Sequence, residues 1–118
     1  SEARRVELWA AVGCEVGKVS AALRGLEHPA AHREFSWDLA ACEQVVALRA
    51  PSVEEARQPL LQRCVANFRE HVGGLLPRLR KSVVHNDPND YNLVVDDDGR
   101  IGVLDFGDMV YTYTCADA

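Results

Sequence analysis

Cysteine is sparse in this sequence, and its four copies, Cys14, Cys42, Cys64 and Cys115, stand far apart without a C-x-x-C pair. Neither a zinc site nor a disulfide framework is suggested, so reduced thiols and a cytoplasmic location are expected. No apolar run is long enough to cross a membrane. The charged start, with Glu2, Arg4, Arg5 and Glu7, lacks the design of a secretory signal, so a soluble chain without a membrane partner is expected. Positive charge is in short supply as well: 13 Lys and Arg face 18 Asp and Glu, for a formal net charge of -5. The acids crowd the C-terminal third at Asp87, Asp90, Asp96, Asp97, Asp98, Asp105, Asp108 and Asp117. That balance argues against nucleic acid and favours divalent cations or a cationic substrate. There is no internal repeat and no low-complexity linker.

What is present suffices for one modest core. With 118 residues, 47% of them hydrophobic, the chain is expected to form one compact unit rather than a two-lobed molecule. Val6, Trp9, Val12, Val16, Val19, Leu23 and Leu26 recur at steps of three and four, which predicts a helix over 2–26 with one apolar stripe. Gly13 and Gly17, one turn apart, would permit a neighbouring helix to approach closely. Pro29 interrupts this pattern, and a short second helix is expected over about 36–48. His28 and His32 have the spacing of a helical metal pair. With Pro29 between them and no inserted glutamate, they read as a surface turn. Ser52-Val53-Glu54-Glu55 has the form of a capping box, and Leu61, Val65, Phe68, Val72 and Leu76 continue a third helical stripe. Pro59 should kink that helix or delay its start, and Gly73-Gly74 with Pro77 should end it. Arg78, Arg80 and Lys81 read as a solvated basic connection.

After Ser82 the period changes. Val83-Val84 and Leu93-Val94-Val95 are short β-branched or apolar runs, Asp96-Asp97-Asp98-Gly99 is a turn signal, and Arg100 to Leu104 supplies a returning strand. Residues 91–105 therefore read as a β-hairpin, and the chain as α+β: helices over about 2–81, then a loop and hairpin over about 82–108.

That hairpin has a chemical consequence. With its turn near Asp97 and Asp98, Asn92 at one root lies across from Leu104 and beside Asp105 at the other. An amide oxygen and a carboxylate at one open end suit a hard cation such as Mg2+, which takes its remaining ligands from water and nucleotide phosphates. Just upstream, His85-Asn86-Asp87-Pro88-Asn89-Asp90-Tyr91-Asn92 has the spacing His-x-Asp-x4-Asn. This is the catalytic-loop arrangement of kinases, in which the aspartate accepts a hydroxyl proton and the asparagine holds metal. Asp105-Phe106-Gly107 follows as a metal-binding Asp-Phe-Gly. Each piece alone is a weak signal; the ordered combination, in a strand, loop and hairpin context, is a strong one.

Together these motifs resemble the aminoglycoside phosphotransferase and choline kinase superfamily. The strings His-Asn-Asp-Pro-Asn-Asp-Tyr-Asn-Leu-Val-Val and Gly-Val-Leu-Asp-Phe-Gly-Asp-Met-Val are similar to hydroxylysine kinases and to the phosphotransferase domain fused to some class III aminotransferases. His28-Pro29-Ala30-Ala31, Arg33-Glu34 and Trp37-Asp38-Leu39 extend the likeness more loosely over nearly the whole chain. The resemblance implies the helical C-lobe of a protein-kinase-like fold, with Asp87 as catalytic base, His85 bracing the loop, and Asn92 and Asp105 as the Mg2+ and nucleotide-binding ligands. It implies ATP or GTP as donor and a small amine-bearing hydroxyl substrate, with Asp90 and Asp108 either facing that amine or satisfying loop amides. Asn86 stands where the wider superfamily most often has glycine, and asparagine tolerates the same unusual backbone angles.

Kinases also need a Gly-rich turn over the phosphates and a strand lysine. The chain's two lysines, Lys18 and Lys81, lie on a helix and in the basic connection, and no G-x-G-x-x-G is present. The resemblance therefore implies a partial domain spanning 1–118 with the N-lobe absent, completed by that lobe or a fused domain, and residues 112–118 entering a helix. Two rival readings stand beside it: a catalytically silent fragment acting as an interaction or regulatory piece, and a Mg2+-dependent phosphohydrolase.

Overall fold

A computed structural model of the chain describes residues 2–117; Ser1 and Ala118, the ends of the expected 1–118 span, lie outside the described residues. The chain packs as two compact units: one formed by the sequence up to Arg33 together with that from Lys81 onward, the other by Glu34–Arg80.

The first unit begins with helix α1, Glu2–Leu23. Four short strands follow after the intervening unit: β1 Lys81–Val84, β2 Leu93–Val95, β3 Ile101–Val103 and β4 Val110–Tyr113. They form two antiparallel pairs, β1 with β4 and β2 with β3. Val83 lies opposite Tyr111 and Val84 opposite Val110 in the first pair; Val94 lies opposite Gly102 in the second. The core sits on β1 and β4, where Val83, Val84 and Val110 are at most 1% exposed, with Ser82, His85 and Thr112 buried beside them. Each such valine contributes about 1.5–3 kcal/mol by leaving water. The buried hydroxyls are paired or shielded rather than stranded, as in the 2.9 Å bond between Ser82 Oγ and Thr114 Oγ1.

α1 packs against β1 and β3, yet no residue of it is fully buried, and Val6 and Trp9 at its start remain 62% exposed. The close approach that Gly13 and Gly17 would permit is not used among the described residues, where nothing lies within 4 Å of a Cβ placed at either. His28 and His32 frame a 3-10 turn, Pro29–Ala31, in which His28 Nδ1 accepts from the Ala30 N–H at 3.1 Å. Both rings are accordingly turn residues, and His32 stacks on Tyr111 with centroids 4.5 Å apart.

The second unit holds helices α2, Cys42–Arg49, and α3, Gln58–Phe68, the latter widening into a π-helical turn over Arg69–Gly73. α2 starts six residues later than the expected Ser36. Asp38 Oδ1 accepts from the Ala40 N–H at 2.9 Å and so caps a 3-10 turn, Leu39–Ala41, before the helix proper. The capping box also fails. Pro51 draws Ser52 into a 3-10 turn, Ala50–Ser52, and the residue before α3 makes no side-chain cap. Instead the Gln58 side-chain amide donates to the carbonyls of Ala50 and Val53, each at 3.3 Å, and Pro59 occupies the first turn, where its missing N–H costs nothing. The Arg69 guanidinium donates to Glu43 Oε2 at 2.6 Å, joining α3's end to α2.

Two further expectations are corrected at the basic connection and the C-terminal stretch. Lys81 opens β1 rather than lying in a loop, with its ammonium 4.7 Å from the centre of the Tyr113 ring. Thr112 and Tyr113 belong to β4, and Thr114–Asp117 is a 3-10 turn, not a continuing helix. The alternation Val110, Tyr111, Thr112, Tyr113 buries every second side chain, which is the period of a strand.

Candidate active site

β1 delivers the chain into a loop through His85, which is 1% exposed. Its ring is held at both nitrogens: Nδ1 accepts from the Asp87 N–H at 3.3 Å, so Nε2 carries the proton and donates to the Leu104 carbonyl at 2.9 Å. The ring edge meets Phe106, centroid to centroid 4.8 Å. One side chain thus ties the Asp87 loop to the segment around Asp105.

Asp87 is half-buried, and both carboxylate oxygens are engaged by amides. Oδ1 accepts from Asn89 Nδ2 at 2.7 Å and Oδ2 from Asn92 Nδ2 at 2.9 Å. Asn92 Nδ2 also donates to the Asp87 carbonyl at 2.9 Å. A carboxylate has about four acceptor sites, so these bonds fix its orientation while leaving capacity for a substrate hydroxyl. Asn89 shapes the intervening turn, its Oδ1 accepting from the Tyr91 N–H at 2.8 Å.

The hairpin forms as the sequence predicts. The Leu104 N–H donates to the Asn92 carbonyl at 2.8 Å, so Asn92 and Asp105 flank the same open end. At the far end Asp96 Oδ1 accepts from the N–H groups of Asp98 and Arg100, and Gly99 takes φ 78° in the turn. Asp105 itself is left-handed, φ 56° and ψ 72°, and its Oδ1 accepts from the Gly107 N–H at 3.1 Å. Asn86, at φ 70°, is the other non-glycine residue with positive φ among those described, which fits its place in a superfamily glycine position. Each such residue costs on the order of 1–3 kcal/mol, strain that persists only where surrounding bonds impose it.

For a metal, the donor set suits a hard divalent cation, Mg2+ among them. Asn92 turns its amide nitrogen to Asp87, which directs its amide oxygen elsewhere, and Asp105 supplies a carboxylate. Both are hard oxygen donors. Among the described residues no group of three or more His, Cys, Asp or Glu could hold a metal by itself, so a cation here needs ligands from water or phosphate. Asp90 is exposed in the 3-10 turn Asp90–Asn92, and Asp108 is half-buried in the turn Phe106–Asp108. The bonds that hold Asp87, Asn92 and Asp105 do not involve them.

Two residues without any motif complete the arrangement. Asp117, 6% exposed, accepts from the His85 N–H at 2.9 Å and the Asn86 N–H at 2.7 Å, satisfying the buried entry to the loop. Arg33 donates through its guanidinium to the Gly107 carbonyl at 2.8 Å. In sequence Asp117 is one charge among many and Arg33 enters only through a loose likeness, and no spacing rule links either to a partner dozens of residues away. A cavity of about 720 Å³ adjoins the loop, walled by Trp9, Val12 and Val16 of α1 and by Asp87 and Pro88.

Hydroxylysine kinase of Mus musculus is 29% identical over 116 residues, covering 84% of this chain and 31% of that protein. The chain thus spans about a third of the length of that curated relative. No solved structure matches. Residues 2–118 match the phosphotransferase enzyme family, and the chain belongs to it.

Proposed function

We propose that this chain supplies the catalytic loop and metal-holding hairpin of a small-molecule kinase that moves the γ-phosphoryl group of ATP or GTP to a hydroxyl of an amine-bearing substrate, 5-hydroxylysine being the first candidate. The observation that carries the reading is the Asn92 side-chain amide bonded to both the carboxylate and the carbonyl of Asp87, at the root of a hairpin whose other root is Asp105. Base and metal ligand are thereby set in fixed relation before any substrate arrives.

In this mechanism Asp87 accepts a hydrogen bond from the attacking hydroxyl and takes its proton as the new O–P bond forms and the γ-phosphorus bond to the bridging oxygen breaks, releasing the nucleoside diphosphate. His85 keeps the loop in register with the Asp105 turn through its two ring nitrogens. Asn92 and Asp105 would hold Mg2+, which when bound offsets charge on the transferring phosphoryl group. Asp90 and Asp108 add negative charge near the site that suits a substrate ammonium.

Steady-state turnover of the full-length protein tests this with hydroxylysine and related amino alcohols as acceptors. Mg2+-dependent phosphate transfer to a hydroxyl, weakened by Asp105→Asn, is expected; release of phosphate to water alone from monoesters would favour the phosphohydrolase instead. The silent-fragment reading draws on the lysines: Lys18 pairs with Glu15 at 2.8 Å and Lys81 lies over Tyr113, so neither is placed to clamp phosphates. Calorimetric titration of the chain with Mg-ATP and Mg-GTP separates the two, because micromolar binding would rule out silence.

A further inference from the structure

The turn after β3 carries an unusual demand. Asp105 must hold a left-handed backbone that non-glycine residues avoid, and its own Oδ1 is folded back onto the Gly107 N–H. A Cβ at Gly107 would stand 3.0 Å from that oxygen, so the turn closes tightly around the carboxylate. Within the turn, the Met109 N–H reaches the Phe106 carbonyl at a long 3.3 Å, which is weak support for so constrained a segment.

The stronger hold comes from outside. Arg33 donates to the Gly107 carbonyl at 2.8 Å, a charge-assisted bond across 74 residues of sequence. Arg33 is placed by its neighbour: it follows the turn Pro29–Ala31, whose Ala31 is 8% exposed and anchored in the core. The guanidinium thus ties the peptide plane between Gly107 and Asp108 to the segment that follows the buried Ala31. On the other side His85 holds the Leu104 carbonyl and the Phe106 ring. Asp105 lies between two clamps, one at Leu104 and one at Gly107.

We propose that Arg33 is a positioning residue for Asp105: by holding the Gly107 carbonyl it keeps the left-handed turn closed, so that the Asp105 carboxylate faces the cation site shared with Asn92. This rests on the reading of Asp105 as a metal ligand given above. Residues that orient a ligand from behind typically change metal affinity about 10- to 100-fold when removed.

The test needs no turnover. Amide NMR spectra of the chain are recorded while Mn2+, a paramagnetic substitute for Mg2+, is added, for wild type, Arg33→Gln, Arg33→Lys and Asp105→Asn. Broadening of the Asn92 and Gly107 amides reports the site, and its loss in Asp105→Asn separates that site from Mn2+ held by surface carboxylates elsewhere. In Arg33→Gln the Asp108 amide, which follows the released carbonyl, should shift. The Mn2+ concentration for half-broadening at Asn92 and Gly107 should rise at least about tenfold, with Arg33→Lys between the two. If Arg33→Gln leaves both signals at wild-type values while Asp105→Asn abolishes the site-specific broadening, the role of Arg33 is overturned and the metal assignment stands. If Asp105→Asn broadens as wild type does, the metal assignment fails and takes this role with it. Should Arg33→Gln not fold, Arg33→Lys decides, since an unmoved Asp108 amide and unchanged broadening in that variant contradict the proposal.

Discussion

Asp117 offers a quantitative test of how the loop is held. Its carboxylate is 6% exposed and accepts two backbone N–H bonds, from His85 and Asn86. Hydrogen bonds to a charged group contribute roughly 1.5–3 kcal/mol each, so Asp117→Ala forfeits about 3–6 kcal/mol of bonding. Part of this is recovered because the variant no longer buries a carboxylate, which leaves an expected net loss of ~2–4 kcal/mol. Asp117→Asn keeps one oxygen acceptor but sets its amide hydrogens against the second backbone donor, and should cost about 1–3 kcal/mol. With a urea slope of about 2 kcal/mol/M, the middle of the usual range, the unfolding midpoint of Asp117→Ala should fall by roughly 1–2 M. Hydrogen exchange gives the local signature: the His85 and Asn86 amides should lose more protection than Val83 or Val110 in the same core. An unmoved midpoint together with unchanged protection at His85 and Asn86 would refute the idea that Asp117 secures the loop.

Other expectations follow from packing and exposure. Gly102→Ala places a Cβ 2.9 Å from Val94 Cγ2 on the paired strand, and because a β-branched neighbour yields little, thermal unfolding should reveal about 1–3 kcal/mol of destabilisation. Gly99→Ala, at φ 78°, should cost on the order of 1–2 kcal/mol in the same assay, and Gly99→Asn less, since nothing crowds the site and only backbone angle opposes the change. Burial, reinforced by the charge of Glu43, pushes the Cys42 thiol up from its ordinary range, so thiolate forms there only at higher pH. In iodoacetamide labelling followed by mass mapping at pH 8, Cys42 should therefore lag behind the exposed Cys14, Cys64 and Cys115.

The parts of the fold that were legible in sequence are those set by local rules. The hairpin follows from the short, largely β-branched run Leu93-Val94-Val95 and from an Asp-rich turn ending in Gly99, and both act over a few residues. The spacing of His85, Asp87 and Asn92 was informative because all three lie in one short loop and bond to one another. What escaped notice depends on distant partners. β4 finds β1 across the 25 residues between Val84 and Val110, and with no turn to announce the pairing its four residues resemble the end of a connection. The capping box at Ser52 obeyed a helix rule that Pro51 overrode. Arg33 and Asp117 act on backbone groups, which leave no trace in side-chain pattern.

The central claim is that Asp87 serves as the base of a phosphotransferase site, and its removal is the most direct test. Asp87→Asn preserves the side chain's shape and one of its two acceptor oxygens, and it cannot accept the proton. In the full-length protein, transfer of labelled γ-phosphate from ATP and from GTP to hydroxylysine should fall about 100- to 10,000-fold in this variant, with its unfolding profile little changed. Near wild-type transfer by a folded Asp87→Asn protein would contradict the assignment.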